Sequence, residues 1–214
     1  MNLHILTPFY RKKNFDVQFR RLEQFASWTC IITINEHQLS YGNFFRNKGC
    51  KIYVCNNFLG DAAYCKVNRY ISGNIDNIQD NDYYMPLMDD DVVPYNFMEK
   101  LRSKNIKSSI IIVSCTRGDK SPPREKYMVH KTGNLIAAKE NMRPGKIAYC
   151  QQIFRGSILK KIRYNEDHHY GKKPSGDGLM ARFLVKNYED ITYVPDIFVF
   201  FNYLERGRYS IELL

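Results

Sequence analysis

The chain has 214 residues, enough for one ordinary domain, and 44% of them are hydrophobic, including 13 Phe, 16 Tyr and 1 Trp, which excludes a mainly disordered chain. No apolar run approaches the roughly 20 residues that cross a bilayer, and Met1 to Tyr10 has no basic head followed by a long apolar core, so neither a transmembrane segment nor a signal peptide is expected and the cytoplasm is the expected compartment. The net charge of +10 favours an anionic partner, but the largest basic clusters, Arg11-Lys12-Lys13 and Lys160-Lys161, carry no nucleic-acid motif, so no nucleic-acid partner is expected.

Leu3 to Thr7 reads as a strand ending at Pro8, and Phe15 to Trp28 has apolar residues at helical spacing. Thr29 to Ile34 and Lys51 to Cys55 read as strands, and Gly60 to Ile71 as a helix with Asp61 favouring its first turn. A strand from Tyr83 to Met88 runs into Asp89-Asp90-Asp91, followed by a helix from Pro94 to Leu101 with Pro in its first turn. Ser109 to Ser114 is unbroken and apolar, as a strand buried on both faces would be.

After Cys115 the pattern changes. Gly118 to Glu125 is a charged loop, and Tyr127 to Ala138 suits a hairpin turning at Thr132-Gly133-Asn134. Ile147 to Phe154 reads as a strand, Gly176 to Asn187 as a helix, and Ile191 to Val194 and Ile197 to Phe201 as two strands. Cys30, Cys50, Cys55, Cys65, Cys115 and Cys150 form no C-x-x-C pair; they are expected to be reduced, with no zinc site.

Strands alternating with helices imply βαβ units and a largely parallel sheet, in which ligands bind outside the carboxyl ends of the strands. Three polar clusters fall at such ends: Thr7-Pro8-Phe9-Tyr10, Asn35-Glu36 and Asp89-Asp90-Asp91. Three adjacent carboxylates are costly unless a cation or solvent compensates them, and their oxygens suit hard ions such as Mg²⁺ and Mn²⁺. In an extended segment Asp89 and Asp91 point to the same side. The bland alternative is an acidic turn that caps the next helix through Asp91. Asp177, between Gly176 and Gly178 at a helix start, is placed either to take a proton from an acceptor hydroxyl or simply to cap its helix; the glycines would let a substrate approach the backbone. His168-His169 sits in a loop-like stretch and is read as no metal pair.

Several segments, in this order, resemble family-2 glycosyltransferases of the GT-A fold. Ile5-Leu6-Thr7-Pro8-Phe9-Tyr10-Arg11 resembles their first strand and nucleotide-binding turn. Gly60 to Ile71, with Lys66 and Asn68, is similar to the helix after their third strand, with the usual Arg-Asn pair altered. Leu87 to Asp91 resembles their Asp-x-Asp metal motif, and Pro94 stands at its familiar distance. Gln151 to Leu159 resembles the acceptor-side strand and helix, Gly176 to Phe183 the acidic motif that supplies the base, and Tyr193-Val194-Pro195-Asp196 the strand that follows. The size and chain style are also similar to glycosyltransferase domains encoded by large algal viruses.

The resemblance implies a single α/β domain, with a mostly parallel central sheet, helices on both faces and a smaller acceptor-side sheet. Residues 1–115 would hold the nucleotide-sugar donor and 116–214 the acceptor. It implies transfer of a sugar from a nucleoside-diphosphate sugar, UDP favoured and GDP possible, to a hydroxyl of a glycan or glycoprotein, with inversion and with Mn²⁺ or Mg²⁺ as cofactor. Asp91 and Asp89 would serve the metal, and Asp177 would be the base. Thr7, Pro8, Tyr10, Arg11, Glu36, Lys66, Asp89, Asp90, Arg206 and Arg208 would contact the donor, and Asn202 is a further candidate ligand. The competing readings are a sugar-phosphate nucleotidyltransferase, disfavoured by Pro8-Phe9-Tyr10-Arg11 where a Gly-rich basic loop is usual, and a basic nucleic-acid-binding protein, which leaves the aspartates unexplained.

Overall fold

The computed structural model describes residues 1–9, 14–15, 18, 20–35, 41–56, 62–117, 134–166 and 176–201. Strands β1 (Leu3–Pro8), β2 (Ser27–Thr33), β3 (Lys51–Cys55) and β4 (Tyr83–Pro86) are mutually parallel in the order β3-β2-β1-β4. Beyond β4 lies β7 (Gln152–Arg155), antiparallel both to β4 and to β5 (Ile110–Arg117). The sheet continues through β5, which carries β6 (Asn134–Leu135) antiparallel and β8 (Ile191–Phe201) parallel, so among the described residues these strands extend one eight-stranded sheet instead of forming the smaller acceptor-side sheet expected.

Alternation along the strands gives the sheet two apolar faces. Leu3, Ile5, Trp28, Cys30, Met85, Ile111 and Val113 enter one core, with Phe45 of α1 (Tyr41–Arg46) and Phe97, Met98 and Leu101 of α3 (Phe97–Ser103). Leu6, Ile31, Tyr84, Ile110, Ile112 and Phe154 enter the other. That core is covered by Tyr64, Val67 and Ile71 of α2 (Ala62–Gly73), by α4 (Gly156–Leu159), and by Met180, Ala181 and Leu184 of α5 (Gly176–Asn187). All six cysteines are free thiols, five of them buried.

The structure revises several boundaries. Helical spacing from Phe15 to Trp28 does not make one helix: Leu22–Gln24 is a single 3₁₀ turn, and β2 begins at Ser27, because Trp28 is drawn into the sheet by its indole N–H bond to Thr7 Oγ1 at 2.8 Å. Pro94 precedes α3 rather than sitting in its first turn. Residues 149–151 form a 3₁₀ turn ahead of β7, shortening the strand expected from Ile147. The two strands expected at the end are one, with three extra residues, Pro195 to Ile197, bulged between the Val113↔Val194 and Ser114↔Phe198 pairs. Ser114 Oγ braces that bulge by donating to the Pro195 carbonyl at 2.9 Å. Asp61 and residues 118–133, with most of the expected hairpin, lie outside the described residues.

One contact in this core invites a direct test. A Cβ on Gly156 would lie 2.0 Å from the Gln79 carbonyl oxygen and 2.9 Å from its carbon, both backbone atoms. The adjacent N–H already holds the Asp82 carbonyl at 2.8 Å, so neither segment can retreat alone. Gly156→Ala is expected to destabilise the fold by about 1–3 kcal/mol, lowering the melting temperature by roughly 3–10 °C. An unchanged melting curve would show that the 79–82 turn does not press on α4.

Candidate active site

The aspartates follow β4, at the centre of the sheet. The strand ends at Pro86, two residues earlier than expected. Leu87 N–H is still bonded to the Leu6 carbonyl at 3.0 Å, which ties the segment to the carboxyl end of β1. Residues 88–91 then form a closed turn: Asp91 N–H donates to Met88 O at 3.1 Å, and Met88 N–H donates to Asp91 Oδ2 at 3.3 Å. Strand alternation is therefore not what relates Asp89 to Asp91, because a turn has replaced the extended segment. On its far side Val92 exchanges two 2.8 Å backbone bonds with Phe200, fixing the turn to the end of β8.

All three carboxylate residues are buried. The capping alternative does not hold for Asp91. Helix α3 begins at Phe97, and its Met98 N–H is bonded to Gln24 Oε1 at 3.2 Å. Asp91 instead lies near Cys150: burial pushes that thiol well above its usual range, and a hydrogen bond with Cys115 and then the negative charge of Asp91 push it further.

Asp177 stands in the first turn of α5, 9% exposed. Its Oδ1 accepts the Gly178 N–H at 2.7 Å, so the carboxylate satisfies one first-turn amide from inside the helix and does not stand at the N-cap position itself. Its backbone is held from two sides: Asp177 N–H donates to Tyr64 Oη at 3.3 Å, and Gln152 Nε2 donates to Asp177 O at 3.4 Å. Tyr64, Tyr149 and Tyr164 form a mutual ring cluster with centroids 5.0–5.4 Å apart. Burial raises the Tyr164 hydroxyl well above its usual range, and the charges of Tyr64 and Asp177 add to this.

The flanking glycines have a different use from the one expected. A Cβ on Gly176 would meet Tyr64 at 2.9 Å and the Asn165 carbonyl at 3.0 Å, and one on Gly178 would meet Pro144 Cα at 2.4 Å. The space beside Asp177 on these sides is filled by protein, so the glycines seat α5 against its neighbours rather than admit a sugar.

Lys66 is fully buried, with Nζ donating to the Phe9 carbonyl at 2.7 Å. It is not a solvated surface charge; its ammonium pins Phe9, the residue just after β1. Thr7 is buried, its Oγ1 taken by Trp28, and Pro8 pairs in register with Ile31. Asn68 clamps Tyr164 by accepting from its N–H at 2.9 Å and donating to its C=O at 2.8 Å. Asn35 is exposed in a helical turn after β2. Tyr10, Arg11, Glu36, His168, His169, Asn202, Arg206 and Arg208 lie outside the described residues. The structure thus gathers the ends of β1 and β4, the aspartate turn and Lys66 on one edge. It adds Gln18, Tyr64, Gln152 and Tyr164, which sequence reading did not single out. Gln18 alone left a signal: a polar residue three places after Phe15 on an apolar helical spacing.

No protein-family model matches the chain, and no curated protein does. Solved structures do. S. aureus TarS 1–349 superposes with a TM-score of 0.60 at 13% identity, over 94% of this chain and 60% of that one. The same protein in complex with UDP-GlcNAc gives 0.57 at 13%, over 100% and 61%. A 4-diphosphocytidyl-2C-methyl-D-erythritol synthase gives 0.54 at 10%, over 99% and 96%. The fold is of the GT-A type. At these identities the likeness is one of fold, and the chain spans 60% of the TarS 1–349 chain. Among the described residues no helix is long and apolar enough to cross a membrane.

Proposed function

We propose that this chain is a nucleotide-sugar-dependent glycosyltransferase. The observation that carries the reading is the buried aspartate turn, closed on itself and tied to the ends of β1 and β8, at the carboxyl edge of a GT-A-type sheet. That edge is where open α/β sheets bind ligands, and a solved neighbour of this fold is a complex with UDP-GlcNAc. Residues 1–115 hold the donor, UDP-linked or GDP-linked, and 116–214 face a glycan or glycoprotein hydroxyl.

Among the described residues no group of three or more His, Cys, Asp or Glu side chains is arranged to hold a metal ion. Asp89 and Asp91 nonetheless fit one as a pair of hard oxygen donors, because Mg²⁺ and Mn²⁺ sites are commonly completed by substrate phosphate and water. When bound, the ion neutralises charge on the departing nucleoside diphosphate. Asp177 accepts the acceptor hydroxyl's proton while that oxygen bonds the anomeric carbon and the bond from that carbon to the diphosphate oxygen breaks, with inversion. Lys66 holds Phe9 and Trp28 holds Thr7, fixing the carboxyl end of β1 beside the nucleotide.

The synthase likeness keeps nucleotidyl transfer as a second reading. Against it, Phe9 is buried in an aromatic cluster with Phe15 and Phe45, at centroid distances of 5.8 and 4.5 Å, where an open glycine-rich phosphate loop would be needed. Calorimetry with UDP, UDP-sugars, GDP-sugars and CTP, in Mn²⁺ and in EDTA, separates the two. Nucleoside diphosphates and their sugars are expected to bind about 10-fold or more tightly with Mn²⁺. Selective binding of CTP would favour nucleotidyl transfer, and equal affinity in EDTA would remove the metal.

A further inference from the structure

Gln18 is 1% exposed, and its side-chain nitrogen lies 3.3 Å from Met88 O, 3.2 Å from Asp89 O and 2.8 Å from Asp91 O. One carboxamide thus faces three carbonyls of the aspartate turn. Rotating the amide by half a turn would set Oε1 against the same three oxygens, so the orientation is fixed by repulsion as well as by bonding. The Oε1 atom is buried and has no hydrogen-bond partner among the described residues. An unsatisfied buried acceptor is unfavourable, and Leu or Met would fill a similar volume without it. What only a primary amide supplies here is the donor to the carbonyls.

We infer that Gln18 is a positioning residue for the metal site: by drawing carbonyls 88, 89 and 91 to one point, it sets the curvature of the turn that carries Asp89 and Asp91. The inference rests on the metal-dependent reading above. It assigns the geometry of the pair to a residue about 70 positions away in sequence, on the segment after β1. Outer partners that orient ligating carboxylates commonly change metal affinity by about 10- to 100-fold when replaced.

The test is a Mn²⁺ titration of UDP or GDP binding by calorimetry on wild type, Gln18→Met and Gln18→Glu. Gln18→Met should raise the Mn²⁺ concentration for half-maximal nucleotide binding by about 10-fold or more, with nucleotide affinity in EDTA unchanged. Gln18→Glu, which sets a carboxylate against three carbonyls, should raise it further. Should Gln18→Met fail to fold, Gln18→Asn carries the test, because it keeps the amide but withdraws it by one methylene. A folded variant with an unchanged Mn²⁺ requirement, beside a Mn²⁺-dependent wild type, overturns the inference and leaves the metal reading standing. A wild type whose nucleotide affinity ignores Mn²⁺ removes the metal reading itself, and the inference with it.

Discussion

Asp91→Asn is expected to abolish most of the Mn²⁺-dependent part of nucleotide binding and to lower sugar transfer by about 10²-fold or more. The substitution is nearly isosteric, and an amide oxygen can still accept the Met88 N–H now held by Asp91 Oδ2 at 3.3 Å. The turn should therefore survive. What is lost is a negative charge in a buried run of three aspartates, and adjacent carboxylates repel one another unless compensated. The melting temperature without metal should accordingly change little, because the asparagine keeps the shape and the acceptor that close the turn. A purely structural Asp91 predicts the reverse, a lower melting temperature with nucleotide binding scaled down alike in Mn²⁺ and in EDTA. Asp89→Asn provides the comparison. If both variants bind nucleotide and transfer sugar normally, the aspartates are not the metal site.

The fold was largely legible from sequence because its signals are local. The unbroken apolar run of β5 declares a strand buried on both faces, and Gly176 to Asn187 forms the helix over the same residues that periodicity indicates. The failures fall where a distant contact overrides a local pattern. Trp28 continues a helical spacing in sequence but lies in β2, bonded to Thr7 across the sheet. Gly178 beside an aspartate reads the same whether its neighbour is a substrate or, as here, the ring of Pro144. Lys66 reads as a surface cation until the chain folds it against the Phe9 carbonyl. The aspartate run was visible because like charges in a row are rare without compensation. Gln18 left only a polar break in an apolar helical spacing, since an amide's worth depends on the carbonyls it meets.

Asp177→Asn is expected to lower transfer by about 10²-fold or more while leaving the fold and donor binding close to wild type. A base must stand within hydrogen-bond reach of the acceptor hydroxyl, on a support that does not move. Here the support is specified: α5 is seated by Gly178 against Pro144, and the Asp177 backbone is bonded by the Tyr64 hydroxyl and Gln152. The N-terminal end of a 12-residue helix favours the ionised carboxylate, which keeps it ready to accept a proton. The same geometry contains the rival explanation, because Oδ1 bonds the Gly178 N–H at 2.7 Å and so satisfies a first-turn amide in the way a capping side chain does. Asparagine caps helices nearly as well as aspartate, so a residue serving only as a cap would lose little in either melting temperature or turnover. Asp177→Ala completes the comparison, since it removes cap and base together and should lower both stability, by about 1 kcal/mol, and transfer. Measuring donor affinity, melting temperature and transfer rate on the pair separates the roles. If the asparagine variant retains a near-normal rate, Asp177 is a cap and the proton must go to another group.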